Sequence, residues 1–248
     1  MIFQKKVMYR GRVRVIDAIK LHAQSHPDAP AILAPGRRSL TYALVEQETR
    51  SIREQLQKFG FLPSGRVAIS LKNGPEAVLC LLAVMEDATA VPLDPCSKDR
   101  EFSVALSGTQ TTAVIVAAGA ASSIQETSHK YSASIIELFG TAGSKEGISL
   151  RCAHRSAVDL QSRPSAFDVA LLMLTSGTTS FPKVVPVSHS NLLANLKNVQ
   201  AVLELKPNDR CLNVMPLFHL HGIIFGVLAS LTTGGSVVCP SGFSESDF

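Results

Sequence analysis

From position 175 to position 183 the chain reads Thr175-Ser176-Gly177-Thr178-Thr179-Ser180-Phe181-Pro182-Lys183, a run of hydroxyls closed by a lysine. This chemistry suits phosphate. Gly177 lets the backbone approach a ligand closely, hydroxyls and amides donate to phosphoryl oxygens, and Lys183 brings a positive point charge. Ordinary loop composition is the bland alternative, because serine, threonine and glycine gather in many turns. A Walker loop does not fit: it requires G-x-x-x-x-G-K-S/T, but Pro182 stands where the second glycine belongs and Val184 follows the lysine. Further along, Met215-Pro216-Leu217-Phe218-His219-Leu220-His221-Gly222 sets two imidazoles two residues apart. On an extended segment such a pair points one way and could ligate a metal. No cysteine or carboxylate lies nearby to complete that site, and a histidine satisfied within an apolar core is the other structural reading.

The elements that must position these residues follow from periodicity. Residues 169–174 form a continuous apolar run of the kind that makes a strand covered on both faces. Ser188-His189-Ser190-Asn191 offers an N-cap to a helix in which Leu192, Leu193, Leu196, Val199, Val202 and Leu203 recur at helical spacing. The hydroxyl-rich run is therefore expected as a loop at the mouth of a sheet, between a buried strand and a helix. Residues 211–214 predict a strand ending near the histidine pair. Residues 66–71, 74–85 and 88–95 predict a strand, an apolar helix, and a strand that ends in a turn. Two more strands are expected at 113–116 and 134–138, with turn-rich surface connections at 117–123 and 140–149. The chain opens with a short amphipathic helix at 15–22, a turn at 26–30, and a strand at 31–34 with its hairpin partner at 39–41. A long helix at 42–59 follows, capped by Thr41 with Gly60 just past its end. The last strand is expected at 236–239.

Taken together, these stretches resemble the adenylate-forming superfamily of acyl-CoA synthetases, adenylation domains and luciferases, whose signature loop runs T-S-G-T-T-G-x-P-K. The chain departs from it at Ser180, where most members carry glycine, and this serine variant resembles the oxalyl-CoA synthetase branch. The family's P-x-F-H matches Pro216 to His219, and its P-L-D/N-P matches Pro92-Leu93-Asp94-Pro95. Its opening, P-x-x-P-A-I followed by L-T-Y, matches Pro27 to Ile32 and Leu40-Thr41-Tyr42. The resemblance covers nearly the whole chain.

The resemblance implies activation of a carboxylic acid by ATP to an acyl-adenylate, then thioester formation with coenzyme A. It implies that Thr175, Ser176, Gly177, Thr178, Thr179, Ser180 and Lys183 hold the β- and γ-phosphates, with the Thr178 hydroxyl near Mg²⁺. Lys183 and His219 would be the catalytic pair, His219 orienting the acyl carboxylate or the in-line phosphate. His219, His221 and Gly222 would border the acyl group. An imidazole at 221, where many relatives place an aromatic residue, can donate to a second carboxylate that an apolar pocket would leave unpaired. Oxalate or another short polar acid is therefore the expected substrate, in preference to a long fatty acid.

Composition sets the remaining limits. The 248 residues are 46% hydrophobic and only 6% aromatic, without tryptophan, which suits an α/β protein of layered sheets flanked by helices. One sheet subdomain with the phosphate loop is expected at 66–205, and a second, incomplete one from 1–65 plus 206–248. By the resemblance, this is the first half of the family's large N-terminal domain, truncated before the adenine- and ribose-binding motifs, with the small C-terminal domain absent, so the chain alone is expected to be inactive. A net charge of +4 and 18% charged residues give no nucleic-acid signal. Lys5, Lys6, Arg10, Arg12 and Arg14 precede the first acid, Asp17, which fits a solvated start; a mitochondrial presequence is the alternative. The five cysteines are odd in number and form no C-x-x-C pair, so a reducing compartment is expected, cytoplasm by default or peroxisome in a eukaryote. The apolar stretch 222–231 is too short to span a bilayer and is expected as a core helix. An open sheet edge and an apolar face at 217–231 predict self-association. Two other functions stay open: a catalytically dead pseudoenzyme or interaction module, and an adenylation domain that loads a carrier protein.

Overall fold

The computed structural model describes residues 13–63, 65–120, 122–154, 169–175 and 183–241. Helix α1 (Val15–Ser25) leads into the hairpin of β1 (Pro30–Leu33) and β2 (Leu40–Thr41), followed by α2 (Tyr42–Lys58). Thr41 caps α2 through its hydroxyl, which accepts from the Leu44 amide. Tyr42, fully buried, donates its hydroxyl to the carbonyls of Leu231 and Gly235 at 3.0 and 2.7 Å, tying the start of the chain to its far end.

The larger sheet begins with β3 (Arg66–Ser70), from which α3 (Pro75–Asp87) crosses back to β4 (Thr89–Pro92), parallel beside β3. Helix α4 (Asp99–Thr109) then carries the chain to β5 (Ala113–Ala117) on the opposite side of β3, and α5 (Ser122–Lys130) carries it to β6 (Ser134–Gly140). Beyond them come β7 (Ile148–His154), β8 (Val169–Thr175) and β9 (Lys183–Ser188), giving the spatial order β7-β6-β5-β3-β4-β8-β9. The five inner strands are parallel, and both edges are antiparallel.

Side chains alternate between faces with the period of two that a strand imposes. Val67, Ile69, Ala113, Ile115, Ile136 and Met173 enter one core, which is shared with α1, α2 and α3. Ala68, Val114, Val116, Ile135 and Leu172 enter a second core covered by Phe102, Ala105 and Leu106 of α4. Helix α3 is apolar all round because both its sides are covered: Leu79, Leu82 and Met85 are at most 1% exposed. Truncating such a leucine to alanine costs about 2–5 kcal/mol.

The smaller sheet has the order β10-β11-β1-β2, built from β10 (Arg210–Leu212) and β11 (Ser236–Val238) with the first hairpin. Helix α6 (His189–Val202) precedes it, capped by Ser188, whose hydroxyl accepts from the Asn191 amide at 3.0 Å. Between β10 and β11 runs a helical segment, π-helical over Gly222–Leu228 and α-helical in α7 (Ala229–Thr233). It is the core helix expected from its apolarity: Ile223, Val227, Leu228 and Leu231 are fully buried.

Several expectations change. Lys183 does not lead toward a helix; it opens β9, so the hydroxyl-rich run connects two antiparallel strands. The reason is the β-branched content of Val184, Val185 and Val187, which pairs along β8 before the helix starts. Residues 99–109 form α4, and β7 at 148–154 begins within the stretch expected as a turn-rich connection at 140–149. The turn-rich stretch at 117–123 runs into α5 at Ser122. The predicted apolar face at 217–231 is mostly packed inward, leaving Leu220 and Phe225 exposed together with Leu212 and Met215.

Candidate functional site

The connections after β3 and β4 leave the large sheet toward opposite faces, since α3 lies against one core and α4 against the other. The carboxyl ends of its parallel strands are where an open α/β sheet usually holds a ligand, and the strand order reverses between β3 and β5. The crevice outside these strand ends receives, beside β3 and β4, a segment that leads from the smaller sheet. Leu217 and Phe218 line a small apolar cavity together with Ile69 and Leu71 at the end of β3 and Pro92 and Leu93 at the end of β4. The turn that carries His219 therefore packs, with Ala77 and Leu81 of α3, against these strand ends.

On the other flank of β4 lies β8, paired parallel to it at Ala90 and Leu171, so its carboxyl end is on the same side of the sheet. That end carries Thr175, whose register partner across the hairpin is Lys183. Both side chains are exposed. Residues Ser176, Gly177, Thr178, Thr179 and Ser180 lie outside the described residues. Topology thus brings the ends of the hydroxyl-rich run and the histidine segment to one edge of one sheet.

The histidine segment is not extended. The His219 amide donates to the Pro216 carbonyl at 3.1 Å and the Ile223 amide to the His219 carbonyl at 3.2 Å, so the chain turns and enters the helix. The argument for a metal pair on one face of an extended segment therefore does not apply. His219 is exposed, its ring 4.6 Å from Phe218 and tilted by 54°. His221, also exposed, stacks on Phe225 with ring centres 4.6 Å apart and planes 14° apart.

Gly222 is buried, and a Cβ there would stand 2.4 Å from the Pro216 carbonyl oxygen. At Gly226 a Cβ would stand 2.3 Å from Asn213 Oδ1. Both glycines let the π-helical segment press against the turn, and a single π stretch in a helix often marks a functional place.

Three residues of this region were not singled out by sequence. Asn73, in the turn between β3 and α3, donates its Nδ2 to the Met215 carbonyl at 3.0 Å and accepts the Leu217 amide on Oδ1 at 2.9 Å. Asn213, 3% exposed, accepts the Met215 amide at 3.2 Å, while its Nδ2 has no partner among the described residues. Ser70, at the carboxyl end of β3 and 4% exposed, has a hydroxyl in the same condition. The signal for Asn73 was a polar residue directly before Gly74-Pro75, which reads as turn chemistry and nothing more.

The parallel sheet flanked by helices on both faces fits the class that the comparisons show. The chain belongs to the AMP-binding enzyme family, whose model matches residues 19–248. It is 34% identical over 234 residues to an oxalate–CoA ligase of Arabidopsis thaliana, covering 91% of this chain and 45% of that protein. It is 36% identical over 201 residues to an oxalate–CoA ligase of Saccharomyces cerevisiae, covering 71% of this chain and 37% of that one. Among solved structures, a long-chain-fatty-acid-CoA ligase (FadD1) from Archaeoglobus fulgidus superposes with a TM-score of 0.78 at 22% identity, over 96% of this chain and 49% of that one. The chain thus spans about half the length, or less, of the curated relatives it matches. No helix among the described residues is long and apolar enough to cross a membrane.

Proposed function

We propose that this chain carries the polyphosphate- and carboxylate-handling part of an ATP-dependent acid–CoA ligase, with oxalate or another short polar acid as substrate. The observation that carries the reading is the seating of the Leu217–Phe218 turn on the carboxyl ends of β3 and β4, one strand from Thr175. Family membership and the two oxalate–CoA ligases among its relatives support it.

In the proposed reaction a carboxylate oxygen attacks the α-phosphorus of ATP, the new O–P bond forms, and the bond to the pyrophosphate oxygen breaks. The thiolate of coenzyme A then attacks the acyl carbon and AMP leaves with the C–O electron pair. Attack of one anion on another needs positive charge and donors placed beforehand. Lys183 would neutralise the departing pyrophosphate, while the hydroxyls of Thr175, Ser176, Thr178, Thr179 and Ser180 and the Gly177 amide would bond its oxygens. His219, exposed over the crevice, would hold the acyl carboxylate in line, and His221 would donate to the second carboxylate of a diacid. Gly222 would serve by letting the turn lie close. Among the described residues no group of three or more His, Cys, Asp or Glu is placed for a metal ion. Mg²⁺ would be held by the polyphosphate and the Thr178 hydroxyl, supplying positive charge there.

Calorimetric titration with Mg-ATP and then oxalate tests the reading. Saturable binding of both, with ATP binding weakened at least tenfold in Lys183→Ala, is expected. A wild-type chain that binds neither would refute it.

A further inference from the structure

We propose that Asn73 is a positioning residue, one that fixes His219 over the crevice by gripping the backbone two to four residues before it; the functional meaning of that placement rests on the reading above. The grip is reciprocal: Asn73 Nδ2 donates to the Met215 carbonyl and the Leu217 amide donates to Asn73 Oδ1, at 3.0 and 2.9 Å. One primary amide thus pairs with an acceptor and a donor of the same turn, as a neighbouring strand would. A carboxylate lacks the donor, and a hydroxyl lacks the reach to bond both.

Both ends of this contact are anchored. Asn73 stands between β3 and Pro75, the first residue of the buried helix α3. Leu217, 6% exposed, is packed on the strand ends that line the crevice. From Leu217 the geometry passes to His219 through the turn closed by the His219 amide on the Pro216 carbonyl. Among the described residues the His219 imidazole makes no hydrogen bond, so its placement follows that of its backbone. The amide reads main-chain groups only, and hence acts whatever side chains occupy 215 and 217.

The test uses the full chain. In Asn73→Ala, NMR exchange of the Leu217 amide is expected to quicken at least tenfold, equivalent to about 1.4 kcal/mol. The Val78 amide, bonded to the Gly74 carbonyl within the same turn-and-helix unit, should keep its rate and so report that the fold is intact. Asn73→Asp keeps the acceptor and is expected to preserve most of the Leu217 protection. Equal Leu217 exchange in wild type and Asn73→Ala, or an Asp variant as unprotected as Ala, overturns the grip. In calorimetry, Asn73→Ala should weaken oxalate binding about tenfold in the presence of Mg-ATP while leaving ATP affinity unchanged, because ATP is assigned to the β8–β9 hairpin. Unchanged oxalate affinity overturns the positioning role and leaves the proposed function standing. A wild type that binds neither ligand defeats the functional reading, and with it the catalytic meaning of Asn73, while exchange at Leu217 still decides the grip.

Discussion

Thr175 and Lys183 face each other across the last pair of the β8–β9 hairpin. Both ends of the hydroxyl-rich run are thereby held by a sheet whose neighbouring strands are buried, and a pinned loop loses less entropy on binding than a free one. The lysine stands at the root of the loop, on a strand.

Lys183→Ala should weaken ATP binding at least tenfold without affecting the fold. The side chain is exposed, and exposed substitutions away from special features shift stability by about 0.5 kcal/mol or less. A charged hydrogen bond to phosphate is worth roughly 1.5–3 kcal/mol. Calorimetry and thermal melting on the same preparation separate the two effects. Lower melting with unaltered ATP affinity would make the lysine structural.

Tyr42→Phe removes a buried hydroxyl that donates to the Leu231 and Gly235 carbonyls and leaves both without that donor. Burial pushes the phenol far above its ordinary pKa, so it remains a neutral donor at any working pH. The loss should cost about 1–3 kcal/mol, seen as a fall in Tm of roughly 2–12 °C. An unchanged Tm would show that water replaces the hydroxyl.

Glu76 supplies a pH dependence. Burial alone would raise its pKa, but hydrogen bonds from Arg37 and from the Ala142 amide outweigh burial and hold the carboxyl below its ordinary value. A depressed folded pKa adds stability above the unfolded pKa, roughly 4.3. That stability is lost as pH falls through the folded value. Wild type should therefore be more stable than Glu76→Gln at neutral pH, with the difference shrinking below about pH 4. Urea unfolding from pH 3 to pH 7 checks this, and a gap independent of pH would contradict it.

His221→Phe should shift acid preference away from diacids. The ring already stacks on Phe225, so phenylalanine can occupy the same place while removing the donor. Titration with oxalate and with a monoacid of similar size is the measurement. Equal loss for both acids would assign His221 to packing alone.

Self-association is expected through the exposed Leu212, Met215, Leu220 and Phe225 and the free edge of β10. At the opposite edges of the large sheet this hazard is managed: Gln55 pairs with the Ile148 carbonyl and the Leu150 amide of β7, and Pro186 interrupts β9. Light scattering should show a concentration-dependent mass that Phe225→Gln together with Leu212→Lys reduces. A monomer at all concentrations would rule the surface out.

The sequence by itself showed many of the local elements and a composition suited to one kind of chemistry. Apolar runs at 66–71, 113–116 and 169–174 read as covered strands, Thr41 and Ser188 as caps, and the string from Thr175 to Lys183 as a composition suited to phosphate. These are short-range facts, written in spacing and residue type. Tertiary structure decided which residues meet. That β9 pairs with β8, making a hairpin of what reads as a strand leading to a helix, depends on hydrogen bonds that valine content allows but does not dictate. That the turn carrying His219 lands on the ends of β3 and β4 depends on Asn73, 142 residues from Met215, and on two glycines that admit a close backbone approach. A lone asparagine beside glycine and proline carries no sign of so distant a partner. Its amide bonds main chain, which every residue shares, and so leaves no complementary side chain in the sequence to reveal the contact.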